Sequence, residues 1–130
     1  MRYLSAEEIL IIHAYIIGET SGLHGVRDVE LLQSIAHKPQ ARFSGKEIYG
    51  GVFLKAAVLL EAIANYHVFI DGNKRTSFAC AARFLYINGY AITMTNKDVE
   101  QTIIKVATKE LTISDIVAWF KKNSKKVRKL

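Results

Sequence analysis

Cysteine and proline are nearly missing from this chain, with one of each among 130 residues. A lone Cys80 cannot close an intramolecular disulfide, and it cannot supply a zinc site built from paired cysteines. With Pro39 the only proline and half of the residues apolar, the composition suits a globular chain and excludes a disordered one. A bilayer-length apolar run is missing as well. The stretch ILIIHAYII is too short to span a membrane, follows Glu7 and Glu8, and has no basic segment before it. The expectation is a protein without a membrane helix or signal peptide, located in the cytoplasm.

Acidic residues are absent from the last ten positions, KKNSKKVRKL, which hold six Lys and Arg. Removing those six from the 18 basic residues leaves 12 against 12 acidic ones in positions 1–120. The net charge of +6 therefore belongs to one end of the chain. It reads as a basic tail at about 121–130 on a single domain over 1–130, and it argues against a surface that reads nucleic acid.

The elements read as helices. Ser5 with Glu8 forms a capping box for a helix to about Ile17, with Ile9, Ile12 and Ile16 on its apolar face and Gly18 ending it. Asp28 caps a short helix that Pro39 stops. The segment from Lys38 to Gly51 reads as an ordered loop or small hairpin. VFLKAAVLLEAIAN, from Val52 to about Asn65, has almost no polar face beyond Lys55 and Glu61 and belongs inside a bundle. A second buried helix starts near Asn73 or Lys74 and reaches Asn88, with Gly89 as its C-terminal cap. YAITMT is a short strand or extended link, and Thr95 with Asp98 and Thr112 with Asp115 open two more helices. The fold class is all-α, a compact bundle of about six helices.

The connection between the two buried helices, HVFIDGNKRT, concentrates the chemistry. A helix N-terminus presents free N–H groups and partial positive charge, so a phosphate fits the turn of Gly72, Asn73, Lys74 and Arg75. Asp71 beside a phosphate calls for a cation between them, and Mg²⁺ takes one or two carboxylates plus phosphate oxygens. His67 suits the deprotonation of an incoming hydroxyl. Each residue alone has a bland explanation, as a cap or a solvated charge. Capping explains one of them and leaves the others unused. His13, His24 and His37 share no ligand spacing, which argues against a metal site among them.

HVFIDGNKRT resembles the Fic-type motif His-x-Phe-x-Asp-Gly-Asn-Gly/Lys-Arg, and Lys74 in its penultimate slot is similar to the death-on-curing (Doc) branch. LSAEEILIIHAYII, GVRDVELLQSIAHKPQ and FLYINGY are similar to the same family in the same order. The resemblance implies a Fic/Doc-like bundle with a flap, with His67 as catalytic base, Asp71 on Mg²⁺, and Gly72, Asn73, Lys74 and Arg75 on the phosphates of ATP. Phe69 would anchor the loop in the core. Lys74, where AMP-transferring members have Gly, implies a reversed ATP that presents its γ-phosphate. It further implies a toxin that phosphorylates elongation factor Tu, stops translation, and is neutralised by a Phd-like antitoxin with a flexible C-terminal segment. Fic members carry a second Arg three residues after the first, where this chain has Phe78. The alternatives are AMP transfer at the same site and a nucleic-acid-binding or RNase toxin. Against the latter, the Arg-x(4–6)-His pattern of helical toxin RNases is absent.

Overall fold

The computed structural model describes residues 1–128. Six helices and two small antiparallel strand pairs make up the described residues. Helix α1 (Ala6–Thr20) opens with the expected capping box, in which Ser5 Oγ accepts from the Glu8 N–H and the Glu8 carboxylate accepts from the Ser5 N–H, each at 3.1 Å. It runs through Gly18 and stops at Ser21, whose φ is 84°. A glycine inside a helix costs only about 1 kcal/mol relative to Ala, and the residues beyond it bring Thr20 to Arg75. The buried stripe is Ile9, His13 and Ile17, with Ile12 and Ile16 half-buried on its flank.

Helix α2 (Val29–His37) is capped by Asp28, whose Oδ1 accepts from the Leu31 N–H at 3.0 Å. Pro39 sits in the 3₁₀ turn Lys38–Gln40 that ends it. The following segment is a hairpin of β1 (Arg42–Phe43) and β2 (Lys46–Glu47), in the register Arg42 to Glu47 and Phe43 to Lys46. Helices α3 (Val52–Asn65) and α4 (Asn73–Ile87) form the central pair, and α1, α2, α5 (Asn96–Ala107) and α6 (Ile113–Lys122) pack around them. The core between them holds Leu59, Leu60, Ile63, Phe84, Leu85, Ile116 and Phe120.

Lys55 does not lie on a polar face. It is 0% exposed; its Nζ donates to the Pro39 carbonyl at 2.7 Å and lies 3.3 Å from Glu47 Oε1, while its charge sits over the Tyr3 ring. A buried ammonium persists because these partners replace its water. It ties the hairpin to the central helix.

YAITMT supplies β3 (Tyr90–Ile92), and its partner is β4 (Ser124–Lys126) from the basic end of the chain. Of the expected tail, Lys121 and Lys122 finish α6, where cations suit the helix dipole. Lys129 and Leu130 lie outside the described residues. Among the described residues no helix is long and apolar enough to cross a membrane.

Candidate active site

The motif loop emerges from the C-terminal end of α3, turns under its own buried anchors, and enters α4. Val68 and Phe69 are buried and hold the loop to the core. Phe69 stacks face to face on His13 of α1, with ring centroids 3.8 Å apart and planes 5° from parallel. Asn73 clamps the same residue, accepting from the Phe69 N–H at 3.0 Å and donating to its carbonyl at 2.9 Å. Both ends of the Asn73 amide are thereby engaged in holding Phe69. What Asn73 offers a ligand is its backbone N–H.

Gly72 is the N-cap of α4, in a left-handed conformation with φ 76°, and no side chain caps the helix. Neither Asp71 nor Asn73 takes the capping role that would have explained it away. The N–H groups of Asn73, Lys74 and Arg75 have no acceptor among the described residues, which leaves an open anion cradle. A Cβ at Gly72 would come within 2.8 Å of Ile17 Cδ1.

Asp71 Oδ2 accepts from the Leu23 N–H at 3.2 Å, and Oδ1 from the Gly72 N–H at 2.8 Å. These two bonds, first that from Leu23, with the nearby Arg75 charge, hold its carboxyl below the usual carboxylate range. It is ionised at neutral pH, and each oxygen keeps a lone pair for a cation. Gly22 allows this approach, since a Cβ there would stand 2.7 Å from Asp71 Oδ2. No group of three or more His, Cys, Asp or Glu is placed to hold a metal ion among the described residues. The donor set is thus one carboxylate, which fits a magnesium ion arriving with phosphate oxygens and waters and does not fit a self-sufficient metal site.

His67 is exposed, with φ 54°, and its imidazole has no hydrogen-bond partner among the described residues. A left-handed conformation in a residue other than glycine costs of order 1–3 kcal/mol and is overdetermined by neighbours when it persists. Arg27 Nε donates to the His67 carbonyl at 2.8 Å. Arg75 donates from Nη1 to Thr20 Oγ1 and, at 3.4 Å, to the Ser21 carbonyl, so the C-terminal end of α1 orients it while Nη2 stays available. Lys74 is exposed.

One depression of about 290 Å³ is lined by His67, Ile70, Asp71, Gly72, Asn73, Lys74 and Arg75, so all six candidate residues meet there. A larger one of about 540 Å³, between the start of α3 and α6, holds no comparable group of titratable side chains. An apolar groove of about 500 Å³ between α1, α4 and α5 adjoins the site through Lys74 and Arg75. Phe78 lines that groove, which puts an aromatic ring where the motif's second Arg would be.

The sequence pattern alone does not single out His13. It is buried, and because a carbonyl only accepts, its Nε2 must carry the proton that bonds the Asp71 carbonyl at 2.7 Å. Burial lowers its pKa, opposed by that hydrogen bond. A histidine at the centre of the Ile9 to Ile17 stripe was the available signal. Leu23 donates through its own backbone N–H and Arg27 bonds a backbone carbonyl, and neither contact has a signal in the sequence.

Comparison with known proteins adds three findings. The model of the Fic/DOC family matches residues 3–85. Toxin Doc of Mycolicibacterium smegmatis is 37% identical over 119 residues, which cover 89% of this chain and 88% of that protein. Protein kinase doc of Escherichia phage P1 is 33% identical over 116 residues, 89% of this chain and 90% of that one.

Proposed function

Because the chain belongs to the Fic/DOC family, we propose that it is the toxin of a toxin–antitoxin pair, moving the γ-phosphoryl group of ATP to a Ser or Thr hydroxyl of a target protein. The observation that carries this reading is Lys74, an exposed cation at the lip of an uncapped helix N-terminus where AMP transfer would need open space. Arg75 Nη2 and the three N–H groups at the start of α4 supply positive charge already oriented for a phosphate chain, and the exposed Lys74 ammonium adds to it. Transfer forms a bond from the target oxygen to the γ-phosphorus and breaks the bond from that phosphorus to the bridging oxygen of ADP. The hydroxyl proton passes to His67, whose imidazole has no other partner among the described residues. Asp71 would hold Mg²⁺, which supplies charge neutralisation between phosphate oxygens.

The target we propose is a translation elongation factor, elongation factor Tu by the family resemblance, with arrest of translation as the outcome. The partner is a Phd-like antitoxin. The apolar groove bordered by Lys74 and Arg75 offers its flexible segment a place beside the site, and a chain lying there would cover the cations that ATP needs.

ATP labelled at the α or the γ position, incubated with the protein and a bacterial lysate, tests the reaction. Label from γ alone is expected, with transfer reduced about 10²–10⁴-fold in His67→Ala. Label from α would show AMP transfer and overturn the argument from Lys74; no label from either would overturn the enzyme.

A further inference from the structure

We infer that Arg27 is a positioning residue for His67: its Nε holds the His67 carbonyl and thereby fixes the positive-φ backbone that aims the imidazole. The inference rests on the reading of His67 as the base. It concerns a residue that does not line the depression at the phosphate turn.

The chain segment before α2 runs antiparallel to the loop. Val68 accepts at its carbonyl from the Arg27 N–H at 2.8 Å and from the Asp28 N–H at 3.4 Å. Val26 bridges Phe69, and the Ile70 N–H donates to the Gly25 carbonyl at 3.1 Å. These contacts fix residues 68 to 70, but none of them reaches His67. Among the described residues the bond from Arg27 is the one hydrogen bond His67 makes.

That bond matters because of where it falls. His67 stands between the end of α3, capped by Tyr66, and the buried Val68, so its φ of 54° is the hinge on which the exposed ring is carried. Were the carbonyl free, rotation to the more populated negative φ would turn both the peptide plane and the Cβ direction. The imidazole would leave the mouth of the depression. A guanidinium is well suited to this role, being planar, permanently charged, and able to make a charge-assisted bond through Nε. Neither Nη group nor any carboxylate engages it further among the described residues. No salt bridge among them accounts for its presence.

Arg27→Met and Arg27→Lys, in the full chain, decide the matter by three readouts. The first is the intraresidue amide-to-Hα Overhauser effect of His67, which a positive φ makes unusually strong. The second is the thermal midpoint, and the third is steady-state transfer from γ-labelled ATP. In Arg27→Met we expect a folded protein, a weakened His67 signal, and a kcat lowered about 10–100-fold by misplacement of the base. KM for ATP is expected to change by less than about twofold, since the phosphate turn is untouched. Arg27→Lys, with a donor that still reaches a carbonyl, recovers part of both the signal and kcat. An unchanged His67 signal, or a weakened signal with unchanged kcat, overturns the inference. So does a loss of kcat that only tracks the unfolded fraction. If Arg27→Met does not fold, Arg27→Gln carries the same readouts. A wild-type protein that transfers no phosphate defeats the kinase reading, and the Overhauser signal still shows whether Arg27 holds His67.

Discussion

At the scale of single residues, the candidate site depends on groups that do not line its depression. His13 has its ring against Phe69 and its Nε2–H on the Asp71 carbonyl, so a neutral imidazole is built into the support of the turn at Asp71. Its pKa is lowered in the folded state, first by burial and also by His24 and Arg75, with Asp71 acting the other way. Below the ordinary histidine value of about 6.5 the unfolded chain takes up a proton that the native ring refuses, so stability falls as pH drops through that value and levels off once the native ring titrates. His13→Gln keeps a donor and loses the titration. Thermal midpoints at about pH 7.5 and about pH 5.5 should therefore differ more in wild type than in His13→Gln; equal differences would show that His13 does not titrate in this way. The six motif residues were legible because they are contiguous and chemically distinctive. His13, Leu23 and Arg27 were not, because they act on groups 40 to 58 positions away, mostly backbone atoms, and a carbonyl has no letter in the sequence.

At the scale of elements, local chemistry was the reliable guide. Ser5, Asp28, Thr95 and Thr112 each cap the helix that follows them, because an N-cap is a bond between near neighbours. Lys55 was misplaced for the opposite reason: its partners, Pro39 and Glu47, belong to a turn and a strand whose position depends on the whole assembly. Lys55→Met should leave the Pro39 carbonyl unsatisfied while Glu47, itself partly exposed, regains water, at a cost of about 1–3 kcal/mol. Urea unfolding measures the cost, and hydrogen exchange should show the Arg42–Glu47 hairpin loosened more than α4. Uniform exchange across the two would mean that Lys55 supports the fold in general and not the hairpin.

At the scale of the whole molecule, the charge asymmetry legible in the sequence has a structural place. Lys121 and Lys122 end α6, and Lys125 and Lys126 lie on β4, none of them lining the depression at His67. Replacing these four by Gln should remove retention on a polyanion column and leave phosphate transfer intact; a parallel loss of transfer would give the basic end a part in catalysis. A second global feature is the way the site is braced. His13, Thr20, Leu23 and Arg27 all lie before residue 30, and all the groups they hold lie between 67 and 75. Between the two sets stands the exposed hairpin tip at Ser44 and Gly45. A chain severed there would yield one piece carrying the braces and another carrying the motif, each inert on its own. Co-expressed, the two pieces should reassociate through the α2 and α3 contacts and restore growth arrest, which makes the toxin divisible into two harmless halves; arrest by the 46–130 piece alone would show that the braces are dispensable.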